Sequence, residues 1–185
     1  MTYYVMMAEG AHPIRPIAKG PEGMGNWRDG SPVGRRVPRP LVYTLRSGVA
    51  GDPKPMYYAE AVPVMRDDVV ATLRRAGVQN IEYFDAVLED PDNGREYGDY
   101  KAYNIVGLVA CADAAASKLM DTNESDLLDM DFESLVIDES RTGGALLFRL
   151  AENVSAIVVH EQVKRAIEAS GIPGFVFYGP GEWSG

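Results

Sequence analysis

Between residues 145 and 178 the chain reads ALLFRLAENVSAIVVHEQVKRAIEASGIPGFVFY, and three backbone periods follow one another within it. Residues 145–150 are an apolar run carrying a single charge, Arg149. Residues 154–159 are β-branched and apolar, the composition of a buried strand. From Glu161 to Ser170 the spacing turns helical, with Val163, Ala166 and Ile167 on one stripe. Gly171 stands where a left-handed residue ends a helix, and Pro173 prevents its resumption. Residues 175–178 form a last short strand. A strand–strand–helix–strand unit is hard to bury except against more sheet, so the stretch 145–178 is read as the core of the fold.

The rest of the chain is expected to supply that sheet. Residues 2–7 are aromatic and apolar and read as a strand. Residues 8–40 hold six Gly and six Pro among 33 positions, too many for a helix or central strand, and read as a long irregular surface loop with Trp27 as its anchor. Strands are expected at 41–45 and 57–63. A helix capped by Asp67 or Asp68 is expected to run to about Ala76, with Val69, Val70 and Leu73 inward and Gly77 closing it. Residues 81–88 and 100–109 read as a hairpin around the turn Pro91-Asp92-Asn93-Gly94. The Ala-rich 110–120 reads as a short helix burying Cys111. A strand at 133–138 is expected to return into 145–150 through a hairpin at Thr142-Gly143-Gly144. The expected class is α+β: one domain over 1–185, with a mixed or mostly antiparallel sheet, two to three packed helices and the long N-terminal loop.

At 185 residues with 46% hydrophobic and 24% charged side chains, the chain has an ordinary globular composition. No apolar run approaches the roughly 20 residues needed to span a bilayer. The N-terminus lacks the basic start and apolar stretch of a secretory signal. One cysteine excludes an intrachain disulfide and a thiolate metal cage. A cytoplasmic location is expected. The net charge of −9 argues against a nucleic-acid backbone as partner and is compatible with a basic protein. The charge is also segregated. Residues 1–55 carry eight basic against four acidic side chains, a formal +4, while residues 113–139 carry nine acidic against Lys118 alone, a formal −8.

Candidate chemistry is sparse. Gly20-x-x-Gly23-x-Gly25 has the wrong order, and the wrong surroundings, for a dinucleotide fingerprint. Arg35, Arg36 and Arg39 could line an anion site, although a solvated turn is the simpler reading. His12 has no acid or nucleophile near it in sequence. His160 sits at the strand–helix junction beside Glu161, without the Ser, Thr or Cys nucleophile a triad needs. Cys111, alone, reads as a packing residue. Asp129, Asp131 and Glu133 alternate and would face one side of a strand, where they could hold Ca²⁺ or Mg²⁺. They lack calcium-loop spacing, and an edge strand protected by charge is the simpler reading. No catalytic residue, metal site or cofactor is assigned.

Several scattered features together resemble a family of bacterial immunity proteins that neutralise toxins of polymorphic secretion systems, formerly a domain of unknown function of proteobacteria including myxobacteria. They are the Tyr3-Tyr4 opening strand, Trp27 in its glycine-rich loop, Ala61-x-Pro63, Tyr103-Asn104-Ile105 with Asp113 and Ser117, and Leu147-Phe148-Arg149-Leu150. Val159-x-Glu161-x-x-Lys164-x-Ala166-Ile167 and Gly171-Ile172-x-Gly174-x-x-Phe177 complete the pattern. His160 occupies a position where a helix-capping Ser or Asp is expected. The resemblance implies a non-enzymatic α+β domain that binds a cognate toxin, a protein encoded nearby and basic if it attacks nucleic acid. The acidic residues Asp121, Glu124, Asp126, Asp129, Asp131, Glu133, Asp138 and Glu139 are the expected contact surface. Two other readings stand beside this one: a self-associating scaffold or regulatory module using the long loop, and an enzyme with an anion-binding pocket.

Overall fold

A computed structural model describes residues 2–9, 14–120 and 130–185. In chain order its elements are β1 (Tyr3–Ala8), β2 (Ile14–Arg15), β3 (Ile17–Lys19), β4 (Leu41–Leu45), β5 (Asp52–Pro53), β6 (Met56–Tyr57), β7 (Val64–Arg66) and α1 (Asp67–Arg75). There follow β8 (Ile81–Glu89), β9 (Glu96–Ile105), β10 (Leu108–Val109), β11 (Lys118–Leu119), β12 (Phe132–Ser134) and a 3₁₀ turn at Glu139–Arg141. The chain ends with β13 (Leu147–Leu150), β14 (Ile157–His160), α2 (Glu161–Ser170) and β15 (Phe175–Tyr178). The class is α+β.

Two sheets carry the structure. One has six strands in the order β3-β4-β8-β9-β7-β6, the other five in the order β10-β13-β14-β1-β15. Both are mixed: β4 runs parallel to β8, and β10 parallel to β13, while the remaining pairings are antiparallel. Side-chain alternation on these strands creates three cores. Tyr103, Ile105, Leu147, Ile157 and Val159 line the central one, together with Val69, Val70 and Leu73 of α1 and Val163 and Ile167 of α2. The neighbours one position away face outward. Tyr100 and Ala102 meet Trp27, Leu41, Tyr43 and Leu88 in a second core. Phe148 and Val158 meet Tyr3, Val5, Phe132 and Trp183 in a third.

The strand–strand–helix–strand unit forms, but its first two strands are shorter than expected: β13 begins at Leu147, and β14 begins at Ile157 because Val154 and Ser155 make a turn; Gly171 at φ 71° ends α2. Its last strand pairs not with β14 but with β1, which lies between β14 and β15. The expected hairpin forms with a shorter tip, because β9 begins at Glu96, but its second strand ends at Ile105 instead of running to 109: Leu108–Val109 is β10 of the other sheet.

Other expectations are corrected. The stretch 57–63 is not a strand: pairing stops at Tyr57 and resumes at Val64, with bends between. Neither Asp67 nor Asp68 is the N-cap of α1. Arg66 holds that position without a side-chain bond, and the two aspartates lie in the first turn, where the helix dipole favours them. Residues 110–120 form no helix. Asp113 instead caps a turn through Ala115 N (2.9 Å) and Ala116 N (3.1 Å), and Ser117 exchanges hydrogen bonds with the Val136 backbone. Side chains that bond their local backbone compete with helix formation. Finally, the expected strand at 133–138 is reduced to β12 and an isolated bridge at Ile137, and Thr142-Gly143-Gly144 does not join two paired strands: β12 pairs with β11, and β13 with β10 and β14.

Ala8, expected to open the loop, still belongs to β1; residues 14–40 are irregular apart from β2 and β3, yet they are fastened to the six-stranded sheet. Trp27 is 4% exposed, and its backbone N–H donates to Ala61 O at 2.8 Å. Asn104, fully buried, donates to Ser31 O and to Glu82 (2.8 Å each), and Glu82 also accepts from Val33 N at 2.9 Å. Gly30 O accepts from Gly107 N at 2.8 Å. At Gly30, with φ 77°, a Cβ would stand 2.7 Å from Leu108 Cγ, so only glycine permits this approach. Where the stretch enters the sheet, buried Arg15 pairs with Asp90 and Asp92.

Candidate protein-binding surface

The acidic segment is mounted on the outer side of the five-stranded sheet. Of its eight predicted contact residues, Asp121, Glu124, Asp126 and Asp129 lie outside the described residues, as does His12. The flanks are well defined. Lys118 and Leu119 pair antiparallel with Ser134 and Phe132, and Met120 N donates to Asp131 O at 2.9 Å. Phe132 is buried, 1% exposed, and exchanges backbone hydrogen bonds with Gly185 at 2.8 and 3.0 Å. Asn153 ties Met130 O and Gly185 O together at 3.0 and 3.1 Å. These bonds tie the ribbon to the C-terminus, with Phe132 buried beneath it. Asp131 and Glu133, on either side of Phe132, are both exposed and join no ion pair among the described residues. On the paired strand Leu119 and Met120 are 56% and 42% exposed.

Asp138 and Glu139 are at the other end of the same irregular ladder, past the Ala112–Ile137 bridge. Asp138 is engaged locally. It accepts from Ser140 N (3.0 Å) and Ser140 Oγ (2.6 Å), capping the 3₁₀ turn. Those Ser140 hydrogen bonds, with Arg141 nearby, hold its carboxyl below the usual range. The structure therefore places Asp131 and Glu133 on the same two-stranded ribbon as Leu119 and Met120, and Asp138 and Glu139 beyond its end.

The other candidates resolve differently. His160 is the N-cap of α2: its Nδ1 accepts from Gln162 N at 3.1 Å, and its ring meets Tyr3 edge-on at 5.3 Å. It performs the capping role expected of Ser or Asp at that position. Cys111 is fully buried, though not in a helix, and burial, with Glu152 adjacent, pushes its thiol up to about 12. Such a thiol is not a nucleophile at neutral pH. Among the described residues no group of three or more His, Cys, Asp or Glu is placed to hold a metal ion, and no helix is long and apolar enough to cross a membrane. Arg35, Arg36 and Arg39 do converge, around a groove floored by Val37 and Phe84.

Sequence reasoning did not single out the polar fasteners Glu82 and Asn104, nor Arg149 as a buried charge. Their partners are 49, 73 and 5 positions away, and only the Arg149 bond to Val154 O is local. A charged residue inside the apolar run 145–150 was the one visible signal.

No curated protein matches this sequence. Residues 64–181, well over half of the 185, match the sequence model of the immunity protein family (Imm11). That span runs from β7 through β15 and includes the acidic segment, both helices and the C-terminal core unit. The chain belongs to the immunity protein family (Imm11).

Proposed function

We propose that this chain acts in the cytoplasm as a non-enzymatic inhibitor of a cognate toxin encoded beside it, and that it docks through the acidic end of the β11–β12 ribbon. The observation that carries the surface is that exposed Asp131 and Glu133 share one two-stranded ribbon with exposed Leu119 and Met120. Apolar contact supplies affinity at the centre of an interface, and surrounding charge sets partner choice and association rate. With nine acids in residues 113–139, the surface favours a basic partner.

The test uses the purified chain and the toxin domain encoded next to it, with affinity measured calorimetrically at roughly 50 and 300 mM salt. D131K/E133K is expected to slow association about tenfold or more and to flatten the salt dependence. L119S/M120S is expected to speed dissociation. Tight binding unaltered by either variant removes this surface, whereas no binding of the wild-type chain to that toxin removes the neutralisation reading.

A further inference from the structure

A second surface, of opposite sign, lies on the outer side of the other sheet. Arg35, Arg36, Val37, Pro38, Arg39 and Phe84 line a groove of about 490 Å³. Its floor is apolar: Val37 is buried, and the half-buried Phe84 ring packs 5.0 Å from that of Trp27. Its rim is three exposed arginines, none of which joins an ion pair among the described residues. Three unpaired guanidinium groups within five positions contrast with a chain of net charge −9.

One rim residue is anchored. Arg35 Nη1 donates to Gly23 O at 3.0 Å, and the loop is fastened by Trp27, Asn104 and Glu82 as described above. Ordering a flexible loop costs affinity at binding, and the bonds at Trp27, Ser31, Val33 and Arg35 reduce that cost. Guanidinium groups beside an aromatic floor match carboxylates bidentately while an apolar side chain fills the centre.

The geometry points to a second docking surface, for a carboxylate-rich segment of a protein partner that also offers an apolar side chain. This inference does not depend on the acidic ribbon or on the identity of the toxin.

The probe is a fluorescein-labelled peptide of alternating Asp, Glu and Leu, titrated with the full chain by anisotropy at low and at about 0.3 M salt. R35Q/R36Q/R39Q should weaken binding about tenfold or more, while K164Q/R165Q/R95Q, which removes the same charge from α2 and the β8–β9 turn, should change it less than about twofold. Circular dichroism melts confirm that both variants fold. Equal losses in the two variants, or no peptide binding at low salt, overturn the proposal. So does tighter binding of a single-stranded oligonucleotide, or displacement of the peptide by equimolar phosphate, either of which would assign the groove to phosphate. Light scattering covers the remaining occupant: dimerisation abolished by R35Q/R36Q/R39Q would make it a contact between copies and overturn the proposal.

Discussion

Replacing Arg149 with Met is expected to stabilise this protein. Arg149 is 0% exposed on β13, facing the central core. Its Nη1 donates to Val154 O at 2.8 Å, but its Nε and Nη2 have no hydrogen-bond partner among the described residues. No carboxylate there pairs with it, and burial lowers its affinity for the proton, with Arg28 acting in the same direction. Keeping an ion inside protein costs several kcal/mol even after relaxation. A hydrogen bond from a charged donor returns about 1.5–3 kcal/mol. Met keeps most of the stem volume, so the cavity penalty is small. The balance favours R149M by about 1–3 kcal/mol. For a chain of this length each kcal/mol moves the midpoint by roughly 2–4 °C. Thermal melts and urea titrations of R149M should show a higher midpoint with an unchanged m-value. A lower midpoint at unchanged m would refute the reasoning, because the guanidinium would then contribute more through its bonds than its burial costs. R149A, which adds a cavity, should fall below R149M in the same assay.

Trp27→Ala should cost about 3–5 kcal/mol in urea unfolding, since the indole is buried and its N–H donates to Met24 O at 3.0 Å; a loss under about 1 kcal/mol would mean the loop does not depend on it. The Cys111 thiol, pushed up to about 12, should react with a disulfide reagent at pH 8 only at the rate of unfolding, with native and urea-denatured rates differing by orders of magnitude; rapid native labelling would contradict its burial. Asp92 is held below its usual value of 3.8 chiefly by the hydrogen bond from Ser47 Oγ, then by Gly48 N, with Arg15 also contributing. A depressed carboxyl contributes stability that is complete above 3.8 and lost as pH falls through its folded value. Melts between about pH 5 and pH 2 should therefore fall less steeply for D92N than for wild type, and parallel slopes would argue against this role.

The elements legible in the sequence are those long enough to show a period. The stripes of α1 and α2, the alternation in β8 and β9 and the apolar β13 and β14 each repeat several times. Trp27 could be assigned as an anchor because a lone indole in a Gly/Pro-rich stretch has few other uses. The two-residue strands β2, β5, β6, β10 and β11 are shorter than any period and owe their pairing to partners elsewhere in the chain. The Ala-rich 110–120 misled because propensity favoured helix while Asp113 and Ser117 fixed a turn through side-chain bonds. At the proposed binding surface, charge segregation is visible as composition alone. That Asp131 and Glu133 share a ribbon with Leu119 and Met120, while Asp138 is taken up by a cap, follows from strand pairing and could not be counted from spacing.

The position of β1 governs when this fold can exist. Tyr3–Ala8 is held between β14 and β15, so the five-stranded sheet cannot close until the chain has been synthesised through Tyr178. Pairings of such separation form slowly, and until then β1 is a hydrophobic strand with both edges open. The family match begins at residue 64, yet a fragment starting there would lack the strand that joins β14 to β15. Protection by this protein therefore depends on a nascent chain whose first strand waits for its last.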